Sequence, residues 1–173
     1  ELTSVDFEFL AGDEALNRQE EFLYSLFVPD RARFALPIFD QPNLKARFRL
    51  HLDIPDEWVA IANSSVEFQE VRDGRKLLHF ADTQPLSTYL FAFAVGRFQV
   101  ETAELRGRPV QMFHRETDRR RVVRNLDTIL GLHESALDWL EDYTGIPYPF
   151  EKFGFALQEK NQKNKLLKKY WNI

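Results

Sequence analysis

The stretch Phe34-Ala35-Leu36-Pro37-Ile38-Phe39-Asp40-Gln41-Pro42-Asn43-Leu44-Lys45-Ala46-Arg47-Phe48 decides how the chain folds. Pro37 and Pro42 each fix a backbone angle and remove a donor. Each also drives its predecessor, Leu36 or Gln41, out of the helical region. Asp40 between them has turn chemistry, since its carboxylate can bond the backbone two residues on. Beyond the turn, Phe48, Leu50 and Leu52 alternate with Arg47, Arg49 and His51. Period two means a strand with one buried face. The reading is a proline-bracketed turn that aims a strand into a sheet, anchored by Phe34, Leu36, Ile38 and Phe39.

Working outward, Thr3 to Leu10 alternates as a strand and Ala11-Gly12-Asp13-Glu14 is a turn. Phe22 to Val28 reads as a second strand, and Pro29 opens a short helical turn to Arg33. Downstream, Pro55-Asp56-Glu57 is a turn and Trp58 to Ala62 a strand. Val66, Phe68 and Val71 lie on another. Asp73-Gly74 is a hairpin signal, followed by Arg75 to Phe80. Tyr89 to Val95 is the longest apolar run, and Leu86 to Val95 reads as one central buried strand. Gly96 bends the chain, and Gly107-Arg108-Pro109 predicts a turn before Val110 to Phe113. Many short strands with short turns predict a mainly β fold, an antiparallel sandwich or curved sheet.

From Asp118 the period changes. Val122, Leu126, Ile129, Leu130, His133, Leu137 and Leu140 recur at helical spacing, and Gly145 with Pro147 stops the run. One long amphipathic α-helix therefore follows the sheet. The expected organisation is 1–117 as β-domain, 118–157 as helix and following segment, and 158–173 as a tail.

Composition bounds the function classes. Of 173 residues, 44% are hydrophobic and 29% charged, a globular profile with 16 Phe for a β-rich core. There is no Cys, which removes disulfide and thiolate chemistry. No run is long enough for a membrane span, and no signal peptide is visible at Glu1, which leaves cytoplasmic, periplasmic or bacterial-surface locations open. The net charge of −4 is uneven: residues 158–173 hold five Lys and one Glu, while everything before holds 18 basic and 26 acidic side chains. That break marks the tail as foreign to the fold, with an ordinary basic terminus as the alternative. An acidic body argues against nucleic acid. Arg119-Arg120-Arg121 with Arg124 could meet phosphate but reads as a solvated helix start. Asn63-Ser64-Ser65 fits a glycan acceptor. Asp138, Glu141 and Asp142 read as surface carboxylates.

Two segments carry a resemblance. Val28-Pro29-Asp30-Arg31-Ala32-Arg33 with Leu36-Pro37-Ile38-Phe39-Asp40-Gln41-Pro42 resembles a segment of the aminopeptidase N family of zinc metallopeptidases, roughly Glu-Pro-x-x-Ala-Arg-x-x-Phe-Pro-Cys-Phe-Asp-Glu-Pro. Tyr143-Thr144-Gly145-Ile146-Pro147-Tyr148-Pro149-Phe150 is similar to the segment that ends the helix leading into that family's catalytic domain. Pro29, Arg33, Pro37, Phe39, Asp40 and Pro42 are the motif positions. The resemblance implies the family's N-terminal β-domain, incomplete at its start. In full-length form such an enzyme removes N-terminal residues from peptides with zinc as cofactor. It also implies Leu26 as a substrate-pocket residue, where the family has Gln. Leu26 cannot hydrogen-bond, so core packing is the competing reading.

The zinc signature itself, His-Glu-x-x-His, needs two His four apart on one helix face. His133-Glu134-Ser135-Ala136-Leu137 is half of it, with Leu137 in place of the second ligand. The family's Gly-x-Met-Glu-Asn loop is absent too. The expectation is therefore no metal, no cofactor and no catalytic residue in this chain, and no activity alone. Its partner would be its own catalytic domain, with peptide substrate in the full-length enzyme. Open sheet edges would favour self-association. The competing reading is a stand-alone β-sandwich that binds carbohydrate or protein, with Trp58, Tyr89 and Tyr148 as exposed platforms.

Overall fold

A computed structural model describes residues 14–150 and 152–157, and the backbone of 171–172. The described chain is mainly β with one long helix, as the alternation and the later helical period require. It divides into two compact units, Glu1–Arg97 and Phe98–Ile173. The division falls ahead of the last hairpin. The reason is that this hairpin supplies the surface on which the helix packs. The strand expected over Thr3 to Leu10 lies outside the described residues.

In the first unit, β1 (Leu16–Arg18) and β2 (Phe22–Ser25) form a hairpin. A 3-10 turn covers Ala32–Phe34. Then come β3 (Lys45–Ala46), β4 (His51–Pro55), β5 (Val59–Ala62), β6 (Val66–Arg72) and β7 (Arg75–Phe80). β8 (Leu86–Ser87), a second 3-10 turn at Thr88–Leu90 and β9 (Phe93–Gly96) complete it. One sheet has the order β1-β2-β9-β5, a second β4-β7-β6, and β3 pairs with β8. Ile54, Leu78 and Phe80 from the second sheet meet Ala62 and Val95 from the first. The two sheets thus face each other as a sandwich. The hairpin β6–β7 turns at Asp73 (φ 52°) and Gly74 (φ 73°), the two left-handed residues that a type I′ turn demands.

The single strand expected over Leu86 to Val95 is not formed. Side-chain hydrogen bonds hold the segment instead. Ser87 Oγ donates to the Pro42 carbonyl and Thr88 Oγ1 to Asp40. The Asn63 amide donates to the Leu90 carbonyl at 3.1 Å and accepts the Ala92 N–H at 2.7 Å. Asn63 is therefore half-buried with its amide engaged, which removes it as a glycan acceptor.

In the second unit, β10 (Gln99–Leu105) and β11 (Arg108–His114) are joined by Arg106 (φ 54°) and Gly107 (φ 75°). The turn is one residue earlier than the sequence suggests, because a type I′ turn has no place for the fixed φ of Pro109. Helix α1 (Arg119–Thr144) begins at Asp118, whose side chain accepts the Arg120 N–H, and ends at left-handed Gly145 (φ 66°). β12 (Phe153–Ala156) then returns parallel to β11, making a β-α-β unit that the otherwise antiparallel reading did not include. β13 (Trp171–Asn172) pairs antiparallel with β12. Val122, Leu126, Ile129, Leu130 and Leu137 of α1 pack on Val110, Met112, Phe153 and Phe155.

Candidate functional site

The proline-bracketed segment is built outward from Phe27. Ser25 and Phe27 point into the core, at 3% and 1% exposure. Leu26 and Val28, past the end of β2, are less buried than these two. Leu26 is half-buried, with its N–H bonded to the Ala15 carbonyl at 2.7 Å, while Val28 is exposed. The Val28–Pro29 bond is cis. Arg31 then closes a turn through its N–H to the Phe27 carbonyl, 2.9 Å, and its guanidinium reaches the Glu14 carbonyl. Ala32 and Ala35 are small because they lie against Phe27 and Phe91 in the core.

Asp40 does not close its own turn. Its carboxylate accepts the Arg33 N–H at 3.2 Å and the Thr88 hydroxyl, tying the segment to the second 3-10 turn. Arg33 pairs with Asp30 at 2.9 Å and lies over the Phe34 ring. Of the four expected anchors only Leu36 and Ile38 pack inward. Phe34 and Phe39 are 43% and 84% exposed. Pro37 and Pro42 are exposed as well. Exposed Val28, Phe34, Phe39, Leu44 and Leu90 give this unit an apolar surface.

In the second unit, Arg106 bridges Asp138 at 2.9 Å and Glu141 at 2.5 Å. Glu141 also accepts the Tyr148 N–H at 2.6 Å, and that bond, with Arg106 second, holds its carboxyl below the usual range. Two of the carboxylates read as surface groups are thus the lock between helix end and hairpin. Glu101 is held low chiefly by Arg119, with His114 adding to it. Arg121 pairs with Glu116 and Asp118. Two of the four arginines of the basic cluster at the helix start, Arg119 and Arg121, are thus spent on ion pairs within the unit. Burial pushes the Lys152 amine down to about 8.

The half-motif at His133 does not fit a zinc ligand set. Its Nδ1 lies 2.8 Å from the Ile129 carbonyl, its ring stacks on Phe155 at 4.0 Å, and Leu137 packs into the core. Among the described residues no group of three or more His, Cys, Asp or Glu could hold a metal. A cavity of about 80 Å³ lies between Arg106, Arg108, Leu137 and Tyr148. Ligand pockets run to roughly 300–1,000 Å³, so a peptide does not fit there. Trp58 and Tyr148 pack against the two cores, and the Tyr148 hydroxyl donates to the Lys152 carbonyl at 3.1 Å. Tyr89 is half-buried. The carbohydrate-platform reading loses its support with them.

Sequence reasoning passed over a different aromatic surface. Trp139 and Tyr143 stack at 5.1 Å on α1, at 62% and 76% exposure. With Leu132 and Ala136 they form a second stripe at spacings of four, three and four, beside the buried one. That spacing was the signal.

Residues 13–90, almost the whole of the first described unit, match the peptidase M1 N-terminal domain. The chain carries an M1 peptidase N-terminal domain. Aminopeptidase M1-B of Oryza sativa subsp. japonica is 33% identical over 122 residues, 70% of this chain and 14% of that protein. Glutamyl aminopeptidase of Rattus norvegicus is 30% identical over 126 residues, 72% of this chain and 13% of its own length. Thyrotropin-releasing hormone-degrading ectoenzyme of Homo sapiens is 32% identical over 158 residues, 88% of this chain and 14% of its own. The M1 chain described here therefore spans about one-seventh of the length of these relatives. No helix among the described residues is long and apolar enough to cross a membrane.

Proposed function

We propose that this chain is the non-catalytic N-terminal part of a zinc-dependent aminopeptidase, which in full-length form removes N-terminal residues from peptides. The observation that carries the reading is the M1 N-terminal match over 13–90, joined to relatives named as aminopeptidases. The donor set supports the division of labour, because His133 and Leu137 are spent on packing. When bound in such an enzyme, zinc polarises the scissile carbonyl and activates water. This chain's residues contribute shape. In this reading the motif positions Pro29, Arg33, Pro37, Asp40 and Pro42 build the turn, and Phe39 is presented outward. Leu26 beside Val28 offers an apolar wall to a substrate's first side chain, where a Gln would have offered a hydrogen bond.

The test is an assay of the 173-residue chain on amino-acid arylamides with added zinc, beside the coding sequence that follows codon 173 read in all three frames. The expected result is no hydrolysis and a downstream His-Glu-x-x-His motif. Arylamide hydrolysis by this chain alone would overturn the reading.

The partner implied is the catalytic domain of the same enzyme. The exposed apolar residues around Phe39 in one unit, and the Leu132–Tyr143 stripe in the other, are surfaces suited to being covered. In isolation they favour self-association, as does β6, which is an edge strand of its sheet among the described residues. Light scattering on a concentrated sample is expected to give a mass above 20.4 kDa. A strictly monomeric mass at high concentration rules this out.

A further inference from the structure

The M1 reading leaves one pair of side chains unused. His51 on β4 and His79 on β7 are directly opposite in register, with rings stacked at 4.0 Å and 8° between planes. The next pair along, Leu50 and Phe80, is bonded from the Phe80 N–H to the Leu50 carbonyl at 2.9 Å. Antiparallel pairs alternate in type, so His51 and His79 occupy a non-hydrogen-bonded position, where side chains stand closest.

We propose that His51 and His79 form a two-histidine site for a divalent transition-metal ion of the Cu²⁺, Ni²⁺ or Zn²⁺ type, completed by water. Neutral imidazole is the side-chain ligand suited to these ions. The sheet supplies what a lone exposed histidine lacks, a second ring held in place. His79 is half-buried, and Phe68 of β6 covers it at 5.2 Å between centroids. A turn about χ2, a broad torsion in histidine, brings one nitrogen from each stacked ring toward a common ion.

The flanking charges are arranged so that a cation is not repelled. Arg49 and Asp53 share the His51 face of β4 by strand alternation. Arg49 is bound by both carboxylate oxygens of Asp82, at 2.7 and 3.1 Å. Arg75 is bound by Asp53 at 2.6 Å. These two guanidiniums are thus each neutralised by a carboxylate, and Glu67 adds further negative potential at Arg49. The other two histidines are committed elsewhere: His114 is 2% exposed, and His133 is stacked on Phe155.

The test is a Zn²⁺ titration of the full 173-residue chain, followed by NMR of the four imidazole ring protons. The expected result is saturation at one ion per chain, with His51 and His79 signals moving together while His114 and His133 stay still. Either His51→Asn or His79→Asn is expected to weaken binding at least about tenfold, because the second ligand on the paired strands acts at high effective concentration. Independent movement of the two rings overturns the proposal, as does a single-histidine variant that binds as well as the parent. Should a variant fail to fold, the parent titration decides alone.

Discussion

Replacing Phe27 with alanine is expected to lower the free energy of unfolding by about 4 kcal/mol, the upper range for a phenylalanine truncated in a closed core. Phe27 is 1% exposed, and its immediate core neighbours include Ala15, Ala32 and Ala35. Those side chains are too short to swing into the space, and their backbones are held, Ala15 by the Leu26 N–H and Ala32 by the Ala35 N–H. Phe91, 6.2 Å away ring to ring, is itself stacked on Phe48 at 4.4 Å and cannot follow without leaving that partner. The cavity therefore persists. Folded domains are stable by only about 5–15 kcal/mol, so the loss is a large share of the whole. Urea denaturation followed by far-ultraviolet circular dichroism measures it. Phe39→Ala, at an 84% exposed position of the same motif, is the control and should change stability by less than about 0.5 kcal/mol. A loss at Phe27 below about 1 kcal/mol would mean that the proline-bracketed segment is not hung from that ring.

That contrast shows what could be read in the residues and what could not. Local rules worked where the partner is close in sequence. Asp73-Gly74 can hardly be anything but a type I′ hairpin turn, and Asp118 and Gly145 bound the helix because caps act within one turn. The alternation from Phe48 to Ile54 also survives, with odd positions outward and even ones inward. What failed depends on distant partners. Phe39 looks like Phe27 in a sequence, yet one faces solvent and the other the core. The run Leu86 to Val95 has strand composition throughout, but Asp40 and Asn63, 48 and 29 positions away from their partners, take its polar groups and break it. The parallel return of β12 escapes because a four-residue apolar strand after a helix carries no sign of direction. As for the site, the motif positions could be named, but their roles separate only in three dimensions. Asp40 ties two turns together, Arg33 supplies a backbone donor to it, and Leu26 is half-buried while Val28 is exposed.

Gly96→Ala is the second substitution expected to be severe, and its cause is the reverse of a cavity. Gly96 sits in β9 between Phe22 of β2 and Val59 of β5. A β-carbon there would lie 2.5 Å from the Phe22 Cβ, 2.7 Å from the Glu21 carbonyl oxygen and 2.8 Å from the Phe22 Cα. Two of these atoms are backbone, so no rotamer change relieves the contact. β2 must move away from β9, and with it the Arg97 N–H bond to the Glu21 carbonyl at 2.9 Å. Overpacking typically costs about 1–3 kcal/mol, and a contact with unyielding backbone lies at the top of that range. The glycine at 96 is thus needed for close approach and not for a positive φ, unlike Gly74 and Gly107, where open space surrounds a would-be side chain. Gly96→Ala should unfold at markedly lower urea and lose amide protection in β2 and β9 first, whereas Gly107→Ala should show only the smaller strain of a left-handed alanine, about 1 kcal/mol. Equal losses at the two positions would refute the steric account, because backbone conformation alone would then explain both.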